Sequence, residues 1–67
     1  MNRELRYEAE NDDDGLMAMV YTNDNPTNPW MVQFIDTDAD AEVGRRFFRH
    51  YDDAEAEADA FCFGIHR

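Results

Sequence analysis

Lysine is absent from this 67-residue chain, and arginine, the only strongly basic residue, occurs six times against sixteen acids. A formal net charge of −10 follows. Such a chain has no basic surface with which to hold phosphates, so direct binding to nucleic acid is not expected. Membranes rich in anionic lipid should repel it. Cysteine occurs once, as Cys62, which excludes an internal disulfide and any metal site built from several thiolates. The three glycines are scattered, so no glycine-rich phosphate loop exists. No apolar run follows Arg3, Glu4 and Arg6, and none elsewhere approaches membrane length. A cytoplasmic protein without a signal peptide or membrane segment is therefore expected.

Bulk comes from five Phe, three Tyr, one Trp and four Met. That is too much apolar material for a disordered acidic tail. One small domain is the upper bound for 67 residues. A chain this short buries roughly 60% of its unfolded surface, so marginal stability is expected.

The clearest signals lie in the last third. Gly44 to His50 reads as a strand that runs into a helix over Tyr51–Ile65. Tyr51, Ala54, Ala58, Phe61, Cys62 and Ile65 recur at three- and four-residue steps, which marks one helical face. The alanines let that face lie close to a sheet, and Cys62 reads as a small buried hydrophobe. Asp52 is placed to cap the first turn, with Glu55 three residues on, and Gly64 is a natural stop. The acids sort into two outer rows, Asp52-Glu55-Asp59 and Asp53-Glu57. For any one of them, a solvated face is the ordinary role.

Upstream, Leu5, Tyr7 and Ala9 alternate with charged residues within Glu4–Glu10, which suits an edge strand. Asn11–Gly15 is a turn signal, and Leu16–Thr22 a second strand, apolar on both sides. Asn23–Pro29 is a loop and Trp30–Ile35 a third strand. Asp36–Gly44 reads as an acidic connection. The expected fold is α+β: a single domain with a small antiparallel meander of three or four strands, ββββα, covered on one face by the C-terminal helix.

One helix covers one face only. Leu16, Ala18 and Val20 share a face, as do Val32 and Phe34. Met17, Met19 and Tyr21 share the other face of strand two, and Met31, Gln33 and Ile35 the other face of strand three. Phe47 and Phe48 also point opposite ways. Either the sheet curls and loops cover the second set, or that set is an apolar patch for self-association as a homodimer or for a partner.

No catalytic constellation emerges. Asp36-x-Asp38-x-Asp40 matches the opening of an EF-hand calcium loop, but Ala41 stands where that loop needs glycine and Phe47 where it needs glutamate. His50 and His66 fit no metal spacing. With no metal site, no cofactor and no acid–base pair in a cleft, a non-enzymatic protein is expected.

The geometry of the acids remains. Helical acids three or four residues apart stand about 5–6 Å apart. Alternate strand residues stand about 6.5–7 Å apart. Phosphates along one DNA strand are spaced on a similar order. In size, charge and layout, over the whole chain though without a shared motif, the sequence resembles the small acidic DNA-mimicking anti-restriction and anti-CRISPR inhibitors of phages and mobile elements. The resemblance implies a partner that is a basic protein or ribonucleoprotein complex in the host cytoplasm, bound without direct nucleic-acid contact. The candidate contact residues are Asp36, Asp38, Asp40 and Glu42, the helical acids Asp52, Asp53, Glu55, Glu57 and Asp59, and Trp30 as an apolar anchor. The alternative is a structural or oligomeric domain of a salt-adapted organism, in which the same acids serve solvation.

Overall fold

The computed structural model describes residues 3–64. The chain forms β1 (Leu5–Asn11), β2 (Leu16–Thr22), β3 (Trp30–Asp36), β4 (Ala41–Phe48) and then α1 (Tyr51–Phe63). The four strands form one antiparallel sheet in the order β1-β2-β3-β4, with α1 packed on one face. This is the α+β meander expected from the sequence, with all four strands formed.

Pleat alternation decides what the helix meets. Ala9, Ala18, Val20 and Val32 from the sheet join Ala54, Ala58 and Cys62 from α1 in one buried cluster. Small residues on both sides bring the helix close to the strands, which is how so few side chains exclude water. Aromatic rings rim the cluster: Tyr7, Trp30, Phe34, Phe48, Tyr51 and Phe61 pack against it. Phe34 and Phe61 meet at 4.8 Å between ring centroids, and Trp30 and Tyr51 at 5.0 Å, edge to face. The Cys62 thiol is buried and donates to the Ala9 carbonyl at 3.4 Å.

Three local expectations change. The fourth strand begins at Ala41, not Gly44, because Asp36 pairs with Ala41 and Ile35 with Glu42. The intervening turn is thereby cut to Thr37–Asp40. Val43 is the extra residue of a bulge between the Phe34–Gly44 and Ile35–Glu42 pairs. That strand also ends at Phe48, before His50. At the helix start the N-cap is His50, in extended conformation and without a side-chain cap hydrogen bond. Asp52 is therefore a first-turn residue, not the cap, and it and Asp53 act on the helix dipole instead. The helix ends two residues earlier than expected. Gly64 adopts the left-handed conformation, φ 63°, and its N–H closes on the Ala60 carbonyl at 2.8 Å. Ile65, expected on the apolar stripe, lies outside the described residues, as does His66.

Candidate partner-binding surface

The two hairpin turns at one end of the sheet are joined. The Thr37 N–H donates to the Gly15 carbonyl at 2.9 Å. This brings Asp12, Asp13 and Asp14 of the β1–β2 turn beside Asp36, Asp38 and Asp40 of the β3–β4 turn. The sequence treats these as two separate acidic stretches, 22 or more residues apart. A signal was present in Asp14-Gly15, whose turn folds β1 back on β2, but only the register of β2 with β3 sets the second turn beside the first.

Each candidate acid has a local role that limits what it can offer. Asp36 is half-buried, and its Oδ1 accepts from the N–H groups of Asp38 at 3.0 Å and Ala39 at 3.2 Å. It builds its turn. Asp38 and Asp40 are exposed. Asp40 has φ 53°, the left-handed region, which a short polar residue tolerates better than a bulky one. Glu42 is on the sheet face away from the helix. It takes two hydrogen bonds from Arg45, at 2.7 and 2.8 Å, and one from Gln33 Nε2 at 3.3 Å. The Arg45 guanidinium holds the Glu42 carboxyl below its ordinary pKa. Across the sheet, Glu10 is pushed the other way by its hydrogen bond to, and repulsion from, Asp12.

The two rows of helical acids keep their helical spacing, but only Asp52 and Asp53 are fully exposed, while Glu55, Glu57 and Asp59 are half-buried on the flanks. Asp59 turns inward to β1, where its Oδ1 accepts from the Tyr7 hydroxyl at 2.6 Å. Glu55 accepts from the Tyr51 hydroxyl at 3.1 Å. Glu57 flanks the opposite edge and pairs with Arg46 at 2.5 Å. The solvent stripe between them holds Asp52, Asp53, Ala56 and Phe63, all exposed. The physical reason is the width of the buried stripe. Ala54, Ala58 and Cys62 point at the sheet, and 100° per residue then places positions 55, 57 and 59 on the flanks. Trp30, expected as an apolar anchor, has part of its ring engaged within the fold. It opens β3, is half-buried, and spends its ring on Tyr51.

Comparison with known proteins places the chain in no family: no family model, curated protein or solved structure matches it. Among the described residues, no group of three or more His, Cys, Asp or Glu side chains is arranged to hold a metal ion. No helix there is long and apolar enough to cross a membrane. None of the described buried residues is polar or charged, so every described acid is open to solvent or half-buried. Geometrically the acids can present charge to a partner surface.

No local spacing links Tyr7 and Asp59, 52 positions apart, so their contact is not legible in the sequence. It carries a testable pH dependence. Hydrogen bonding to Asp59, assisted by burial and by the Asp59 charge, pushes the Tyr7 hydroxyl up from 10.0 to about 12. The folded pKa lies above the ordinary value, so the neutral phenol is favoured by folding. The stabilisation is complete below pH 10 and is lost as pH rises from 10 through about 12. Replacing Tyr7 with Phe is expected to cost about 1 kcal/mol at neutral pH, because a partly exposed hydrogen bond to a carboxylate is weakened by solvent. Urea unfolding of both proteins across the alkaline range checks this. The difference between them should shrink above pH 10, and a constant difference would exclude the contact as its source.

Proposed function

We propose that this chain is a non-enzymatic inhibitor that binds a basic nucleic-acid-binding protein or ribonucleoprotein complex, presenting carboxylates in place of phosphates. The observation that carries the reading is the junction of the two acidic turns. Six aspartates, Asp12, Asp13, Asp14, Asp36, Asp38 and Asp40, share one end of a rigid sheet, tied by the Thr37–Gly15 hydrogen bond. A pre-formed cluster costs its bearer less ordering entropy on binding than a flexible acidic tail does. Asp52 and Asp53 form a smaller second patch at the helix start. Asp36, Glu57 and Asp59 act mainly within the fold.

Affinity capture of the tagged chain from its host names the partner. Its affinity for the purified chain should then weaken about tenfold or more between low and near-molar salt, as an interface steered by charge requires. Replacing Asp12, Asp13, Asp38 and Asp40 with Asn should abolish binding while far-UV circular dichroism stays unchanged. Asn suits position 40 because it tolerates the left-handed backbone there. Salt-independent affinity, or full binding by the quadruple variant, would defeat the reading.

One observation favours a second reading. Exposed acids occur also at Glu4, before β1, and at Glu8 within it, outside either patch, and lysine is absent. A salt-adapted structural domain accounts for acids on all sides. It requires the fold to depend on molar salt, so full folding in dilute buffer excludes it.

A further inference from the structure

The sheet face opposite the helix has a pattern that fits a copy of itself. Three cross-strand rows lie on it. The first is Glu10, Met17, Ile35 and Glu42; the second is Glu8, Met19, Gln33 and Arg45; the third is Leu5, Tyr21, Met31 and Phe47. The two central strands thus supply an apolar middle on a face that the helix does not cover: Met17, Met19, Tyr21 and Ile35 are half-buried, and Met31, 1% exposed, is already covered by its neighbours. The rim is charged in the first two rows. In the third it carries two exposed large apolar residues, Leu5 and Phe47, at 47% and 48%.

We infer that two copies of this chain stack these faces into a β-sandwich dimer about a two-fold axis running along the strands. Such an axis exchanges β1 with β4 and β2 with β3 while keeping each row in place. Leu5 then covers the second copy's Phe47, and Tyr21 lies over the row position of its already buried Met31. Met17 meets Ile35. In the middle row Glu8 meets Arg45, whose Nε and Nη2 are engaged by Glu42 and whose Nη1 faces the added carboxylate. Every one of these contacts occurs twice, as an isologous interface demands. The alternative in-plane axis, across the strands, would set Arg45 on Arg45 and Glu8 on Glu8. Charge therefore selects the axis along the strands. Its one like-charge contact is Glu10 with Glu42, at the solvated corner where Arg45 already neutralises Glu42.

The area suits a modest dimer. Strands of seven residues at about 3.3 Å each, four abreast at about 4.8 Å, make a face of roughly 440 Å² before side-chain relief is counted. Two such faces bury on the order of 1,000 Å², the lower limit for a specific interface. Aligned sandwiches keep strand directions within about 30°, which retains the row contacts at the centre. The helices then lie on the two outer surfaces, and both acidic ends stay accessible.

Net charge gives a sharp signature. Each copy carries −10, so salt should favour association by screening the mutual repulsion, the reverse of its effect on a basic partner. Sedimentation equilibrium of the purified chain alone is the test, and it is independent of whether any basic partner exists. A micromolar dimer is expected that tightens about tenfold from 0.1 to 1 M NaCl. Phe47→Glu, at a site exposed in the single chain, should leave a folded monomer. Glu8→Arg and Arg45→Glu should each weaken the dimer about tenfold, and the double exchange should weaken it less than the two effects combined, because it remakes the pair between copies though not the Arg45–Glu42 pair within each chain. A chain that stays monomeric at about 1 mM in 1 M NaCl overturns the proposal. A dimer indifferent to Phe47→Glu, or one in which the two charge exchanges simply add without coupling, overturns this arrangement.

Discussion

Ala58→Asp is expected to unfold the protein, whereas Ala56→Asp leaves it folded. Both changes place the same acid in the same helix and carry the same intrinsic cost, about 0.5–0.7 kcal/mol of helix propensity. They differ in where the side chain goes. Ala58 is fully buried in the cluster with Ala18, Val20, Val32 and Ala54, and none of the described buried residues is polar or charged. A carboxylate there has no partner and must either stay charged in an apolar site or take up a proton, at a cost of several kcal/mol. Domains of this size have roughly 3–10 kcal/mol of total stability. Ala56 is exposed, so its replacement should cost well under 1 kcal/mol. Urea titration followed by far-UV circular dichroism separates the cases. Equal midpoints for the two variants would mean that α1 does not dock on the sheet through the Ala54–Ala58–Cys62 stripe.

Gly15→Val should cost roughly 2–3 kcal/mol, the sum of a backbone and a side-chain conflict. Gly15 is buried in the β1–β2 turn at φ 68°, a conformation that β-branched residues avoid. A Cβ at this position would stand 2.5 Å from Asp38 Oδ2 and 2.6 Å from its Cγ. Adding Asp38→Ala should recover only the second part, because removing the carboxylate leaves the backbone strain in place. Gly15→Asn, which tolerates the left-handed region, should cost less than Val at the same site. Thermal unfolding of the four proteins measures both parts. Complete rescue by Asp38→Ala would show that the backbone conformation carries no cost, contrary to the φ of 68°. The consequence reaches the proposed site, since the Gly15 carbonyl is what joins the two acidic turns.

The legible and illegible parts of the fold divide along the range of the interactions concerned. β2 matches its expected bounds because Leu16–Thr22 is apolar and β-branched residues end it, a purely local signal. The helical stripe Tyr51, Ala54, Ala58, Phe61 and Cys62 was legible for the same reason, as was the stop at Gly64. The start of β4 was not. Ala41-Glu42-Val43 looks like connection, and only the ladder to β3 makes it a strand, bulge included. The N-cap was misplaced because Asp52 has the right chemistry, yet the chain leaves the sheet so directly that His50 already holds the cap position.

The candidate surface follows the same division. The number of acids, their sign and the absence of lysine are properties of composition, and with them the class of partner that charge admits or repels. Which acids face outward is a property of packing. Asp59 and Glu57 read as solvated helix acids, but the docked helix turns one toward Tyr7 and the other toward Arg46. Trp30 sits just after a loop and is half-buried against the core and Tyr51. The two aspartate turns become one surface only through strand register, which no spacing along the chain reveals. Local periodicity and composition therefore determined most of the elements, though not the start of β4 or the helix cap, together with the core stripe and the charge. The tertiary structure alone decided which charges stay exposed and which sheet face the helix leaves uncovered. Those outcomes depend on contacts between residues tens of positions apart, fixed only when the sheet closes and the helix docks.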